Sequence, residues 1–171
     1  MDSMGDWDYL IGALQRRPKL AKVKGNVVTT ALAIFCPDSD LDLLAHTMQL
    51  LGKRLPAGEA IFPICLPGGA APLAYGEHYP LKIQYLALKE YLRDVCEVKP
   101  HIRRIFLVAH RGCGYYQKKI RNLSGVVCDT LQELHDLPKI AAVVNDLLNK
   151  EVLCFYTFFE NNEFQYQQPS V

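Results

Sequence analysis

His110 and Cys113 stand three positions apart in Ala109-His110-Arg111-Gly112-Cys113-Gly114, directly after the apolar run Ile105-Phe106-Leu107-Val108. An imidazole and a thiol at this spacing can bind one metal ion if the backbone turns tightly, and glycines on both sides of Cys113 permit that turn. The pair alone is a weak signal. Its value depends on a third soft ligand at the end of another strand. Cys36 is the candidate, with Asp38 two positions beyond it.

The remaining elements are read for what they do to these residues. The run from Val27 to Phe35 is β-branched and apolar without polar alternation near its end, the pattern of a central strand covered on both faces. Ser39 and Asp42 resemble a helix start, and Leu41, Leu44, Met48 and Leu51 repeat at helical spacing up to Gly52. Cys36 and Asp38 therefore fall at a strand-to-helix corner, where open α/β sheets place their ligands. A second strand is expected from Ala60 to Leu66, ending in the glycine turn Gly68-Gly69-Ala70. That turn lacks the spacing of a phosphate-binding loop, so close backbone packing near a site is its better explanation.

A polar, aromatic loop is expected from Tyr75 to Pro80, then a helix whose face carries Leu81, Tyr85, Leu88, Leu92 and Val95. The strand Ile105 to Ala109 delivers His110. Residues 115–129 show no clear period and read as a loop. Thr130 to Leu137 reads as a short helix, and Pro138 suits the first turn of a separate one bearing Ile140, Val143, Val144, Leu147 and Leu148. Val152 to Phe159 reads as the last strand, and residues 161–171 as a polar tail, frayed or docked on a partner. Strands alternating with helices predict an α/β fold with a mostly parallel central sheet flanked by helices.

Composition bounds the setting. The chain has 171 residues, half of them hydrophobic, which predicts one domain over 1–171 that begins with an apolar helical arm at 1–20. A net charge of +1 offers no field for nucleic acid or an anionic membrane surface, and no apolar stretch approaches the ~20 residues of a membrane span. A cytoplasmic protein is expected. Six cysteines in such a chain read as buried thiols or metal ligands rather than a disulfide framework. Cys65, Cys96 and Cys154 read as core residues, Cys128 falls in an uncertain loop, and Cys36 and Cys113 remain.

Right-handed crossovers put the C-terminal ends of parallel strands on one edge, so Cys36, Asp38, His110 and Cys113 can converge. Two thiolates and an imidazole suit zinc, Zn2+. Three such ligands leave a fourth tetrahedral position open, where water becomes hydroxide near neutral pH, unless a fourth protein group such as Asp38 closes it.

At these residues the chain resembles the β-class carbonic anhydrases, which carry Cys-x-Asp-x-Arg after a first core strand and His-x-x-Cys-Gly after a later one. Here Cys36-Pro37-Asp38-Ser39-Asp40 and His110-Arg111-Gly112-Cys113-Gly114 stand in those places, with Gly68-Gly69-Ala70 similar to the family's intervening glycine motif. The resemblance covers roughly residues 26–159. It implies a parallel-sheet core and a homodimer or higher homo-oligomer. It also implies Cys36, His110 and Cys113 as zinc ligands, Asp38 as the catalytic carboxylate orienting hydroxide, and reversible hydration of carbon dioxide to bicarbonate.

The pattern breaks at Asp40, which occupies the place of the family's arginine. The bidentate clamp that would hold Asp38 off the metal becomes a second carboxylate, which disfavours ionisation of one of the pair. Three outcomes stay open: Arg111 substitutes for the clamp, Asp38 ligates zinc and closes the site, or the site serves another substrate. The alternatives to carbonic anhydrase activity are therefore a catalytically silent zinc protein with a structural or partner-binding role, and a hydrolase of carbonyl sulfide or carbon disulfide.

Overall fold

The computed structural model describes residues 27–37, 43–76, 80–120, 129–160 and 163–169. The arm at 1–20, Asp38, Asp40 and Cys128 lie outside the described residues. Strand β1 (Val28–Phe35) is followed by helix α1 (Leu43–Gly52), strand β2 (Glu59–Cys65), the short helix α2 (Pro72–Tyr75), helix α3 (Lys82–Val98) and strand β3 (Arg104–His110). A π-helical turn (Tyr116–Ile120), helix α4 (Asp129–Leu148) and strands β4 (Glu151–Glu160) and β5 (Glu163–Gln167) complete the order.

The five strands form one sheet in the order β2-β1-β3-β4-β5. Pairing is parallel from β2 through β4, and β5 runs antiparallel to β4. This is the mostly parallel sheet with flanking helices that the strand and helix alternation predicts. Period-two alternation sends side chains to both faces. Leu32, Ile34, Ile105 and Leu107 join a core with Leu88 and Leu92 of α3 and Ile140 and Val144 of α4. Ala31, Ala33, Phe35, Phe106 and Val108 join Leu51 of α1 on the other face. The centre of β1 and β3 is thus apolar on both faces, as their uninterrupted hydrophobic runs require. Pro63 in β2 is tolerated because β2 is an edge strand, where a missing N–H need not break a ladder.

Five expectations are corrected. Residues 163–167 are a strand rather than a frayed tail, in register from Tyr156↔Gln167 to Glu160↔Glu163. Tyr166 lies 6.4 Å from Phe155, and the Arg54 guanidinium stands over both rings. Alternating Phe164 and Tyr166 are the strand signal that the polar neighbours obscure. Pro138 lies inside one continuous helix instead of opening a second. It cannot supply the Leu134 carbonyl with a hydrogen bond, but Leu137, Ile140, Ala141 and Val144 are buried on the same stripe, and their burial outweighs the cost of the break.

The loop expected from Tyr75 contains the end of α2, and the one expected from residue 115 contains the π-helical turn. Cys65 is exposed at the end of edge strand β2, whereas Cys154 is fully buried and Cys96 half-buried. An apolar run on an edge strand has one side without a covering element, which the run itself does not disclose.

Candidate metal centre

β1 and β3 are adjacent and parallel, with Phe35 paired to Val108, so the residues leaving their C-terminal ends emerge side by side. Cys36 follows β1, His110 is the last residue of β3, and the turn through Gly112 at φ +79° brings Cys113 back to the same edge. Cys36, His110 and Cys113 are all buried, and one ligand atom from each lies within 4.8 Å of the others. The two sulfur atoms are 3.7 Å apart.

That separation excludes a disulfide, which needs about 2.05 Å. It matches the edge of a tetrahedron built on zinc–sulfur bonds of about 2.3 Å, which is roughly 3.8 Å. The donor set and its spacing therefore fit a tetrahedral metal ion. Among the described residues this is the only group of three such side chains that could hold one.

The surrounding backbone is adapted to the sulfur atoms. The Gly68 N–H donates to Cys36 Sγ at 3.1 Å. Gly68 has φ +78°, and a Cβ there would sit 2.3 Å from the Tyr115 ring. Gly69 packs directly on the backbone, where a Cβ would meet Phe35 and Cys36 main-chain atoms at 3.2 Å. The glycine turn is thus a close-packing device beside the sulfurs, as its lack of phosphate-loop spacing suggests. His110 Nδ1 is 3.2 Å from the Arg111 carbonyl oxygen. An Nδ1–H donated there leaves the lone pair on Nε2, which fixes the tautomer that a metal would meet.

The Cys36 sulfur and burial push the Cys113 thiol up to about 12, while hydrogen bonds from His110 and the Tyr116 backbone act in the opposite direction. Arg111 is exposed and stands 5.0 Å over the Phe158 ring, a surface stacking position.

Two features escape sequence reasoning. A polar cluster joins α2 to α4: Tyr75 O–H donates to Asp136 at 2.6 Å, and the Gln132 amide donates to the same carboxylate at 2.8 Å. Glu133, on the same helix, is fully buried and lines a cavity of about 20 Å3 together with Cys36, His110, Cys113 and Tyr116. Burial, and then Asp136, Glu133, Tyr75 and Cys113, hold the Tyr116 phenol well above its ordinary range. Glu133 interrupts the apolar stripe of α4, and that interruption is the signal available in the sequence.

No family model and no curated protein matches the chain. Solved structures do. The chain is similar to β-carbonic anhydrase isoform I of Trichomonas vaginalis, with 13% identity and a TM-score of 0.42, each chain covered over 100% of its length. It is similar to the β-carbonic anhydrase CafA of Aspergillus fumigatus at 14% identity and 0.42, over 98% of this chain and 89% of the other. It is also similar to one of two tetrameric β-carbonic anhydrases of Sordaria macrospora at 16% and 0.41, over 95% and 92%. The structural neighbours come from the family that the two half-motifs resemble. At these TM-scores the likeness carries no argument of its own, and the chemistry stands on the residues.

Proposed function

We propose that the protein is a zinc-binding, carbonic anhydrase-like lyase that hydrates carbon dioxide reversibly to bicarbonate. The observation that carries this reading is the convergence of Cys36, His110 and Cys113 within 4.8 Å in a buried site. Bound there, zinc would lower the pKa of water to about 7 and so supply a nucleophile near neutral pH.

The chain's own residues do the rest. Cys36, His110 and Cys113 would supply three donors to the ion. The Gly68 N–H tempers the charge on the Cys36 sulfur, and the Arg111 carbonyl holds the His110 ring. Leu107, Ala70 and Ala71 border the cavity and limit its water to what the space of about 20 Å3 admits. Asp38, next after Pro37, is proposed as the carboxylate that orients the nucleophile. In the reaction a carbon–oxygen bond forms between water and carbon dioxide, one carbonyl electron pair moves to oxygen, and a proton leaves for solvent.

Stopped-flow carbon dioxide hydration by metal-quantified protein tests the reading. Activity that rises across pH ~6.5 to 9 is expected. Stoichiometric zinc without hydration anywhere in that range would overturn the enzymatic assignment. It would favour a silent zinc protein, the second reading, which Asp40 at the place of the clamp arginine supports. Carbonyl sulfide and carbon disulfide are to be offered in the same assay.

A homo-oligomer is part of the proposal. Ile83, Leu86 and Tyr91 of α3 are exposed, and an apolar groove of about 420 Å3 beside them is lined by Leu66, Pro72, Ala87 and Tyr91. A contiguous apolar surface of this kind marks an interaction site. Light scattering that returns a monomer at micromolar concentration would remove this element.

A further inference from the structure

We propose that Glu133 is the positioning carboxylate of the Cys36–His110–Cys113 site, accepting a hydrogen bond from a water-sized molecule in the cavity they share and disfavouring anions that carry no proton. The inference rests on the zinc reading and goes beyond it, because it assigns a role to a residue outside both half-motifs.

Three observations carry it. Glu133 has 0% exposure, a state that carboxylates almost never reach unless something in the interior engages them. Its position belongs to a stripe that is otherwise apolar: Leu137, Ile140 and Val144 follow at helical spacing and pack on the sheet. Asp136, almost one turn on, is equally buried but is held by Tyr75 and Gln132, whereas Glu133 lines the cavity with the ligands.

The cavity itself is the third observation. It measures about 20 Å3, and Cys36, His110, Cys113 and Glu133 all line it. That is room for about one water molecule. Glu133 lines the cavity but is not among the donors that lie within 4.8 Å of one another, so it borders that space without belonging to the ligand set.

In its ionised form a carboxylate accepts hydrogen bonds and has no proton to give. It therefore favours an occupant that donates, such as water or bicarbonate, over azide or thiocyanate. An amide of the same shape loses the charge and gains two donors, so it should reverse that preference.

The test uses the cobalt(II)-loaded full chain, because cobalt takes similar nitrogen and sulfur ligands and reports on them by visible absorption. Wild type, Glu133→Gln and Glu133→Leu are loaded, and azide is titrated against the visible bands. The expected result is cobalt affinity lowered by no more than the ~100-fold of an outer-shell change in both variants, with azide binding to the loaded site at least tenfold tighter. Azide affinity within twofold of wild type would overturn the assignment. So would a variant that folds but binds cobalt more weakly by more than the ~100-fold that an outer-shell change costs, since that would make Glu133 a ligand. Failure of both variants to fold would assign the carboxyl to the fold and overturn it as well. Wild-type chain that takes up no cobalt overturns the metal reading together with this one. Loaded wild type that binds azide but does not hydrate carbon dioxide overturns only the enzymatic reading, and the comparison of variants still decides the role of Glu133.

Discussion

Cys36 Sγ and Cys113 Sγ lie 3.7 Å apart although 77 positions separate them in the chain. Two adjacent strands of a parallel sheet make that contact, and the distance is the one a tetrahedral cation needs. Cys113→Ser is therefore expected to reduce zinc from one equivalent per chain to a trace. Its affinity should fall by more than the ~10–100-fold that an outer-shell change costs. Metal analysis after dialysis against a weak chelator checks this, and full zinc retention would remove Cys113 from the ligand set.

Gly68→Ala should destabilise the chain without removing a ligand. Its φ of +78° costs a side chain about 1–2 kcal/mol, and the new methyl would meet the Tyr115 ring at 2.3 Å. Urea denaturation should show a loss of at least that size. In a background with Tyr115→Ala the clash component should vanish and the backbone component remain.

Cys154 sets a pH dependence away from the metal centre. Burial raises its thiol from 9.0 to about 11. The neutral thiol is favoured in the fold, so its contribution is fully present below about pH 9 and is lost as pH rises toward 11. Two pH units correspond to roughly 2–3 kcal/mol. Wild type should lose stability over that window, and Cys154→Ala should flatten the loss while lowering stability at neutral pH by the cavity it leaves.

Pro138→Ala should stabilise the protein. The proline sits inside α4, where a missing N–H and ring clash cost up to ~3 kcal/mol relative to alanine. Thermal unfolding is expected at a higher temperature in the variant. A lower melting temperature would mean that the ring is packed in a way that offsets the lost hydrogen bond.

The strands and the convergence of Cys36, His110 and Cys113 were legible because both express local rules. Uninterrupted apolar runs mark β1 and β3, and glycines mark the turns that follow them. Pro138 misled because local propensity says nothing of the sheet beneath the helix, whose burial of Leu137, Ile140 and Val144 keeps α4 continuous. β5 was hidden because an edge strand needs a partner more than it needs apolar composition, and Tyr156↔Gln167 pairing is a tertiary fact. Glu133 belongs to neither half-motif, and its one mark in the sequence, a charge within the apolar stripe of α4, does not say what it lies beside. Only the packing of α4 over the C-terminal edge brings it to the cavity.

The contact between Cys36 and Cys113 also bears on how the chain holds together. A cation bridging the two sulfurs would close a loop containing α1, β2, α2, α3 and β3, acting as a reversible cross-link rather than only as a reagent. For a loop of 77 positions, chain-entropy reasoning gives such a link about 4.5 kcal/mol. That is a large share of a typical domain's stability. Metal supply would then govern the lifetime of the folded chain as well as its chemistry.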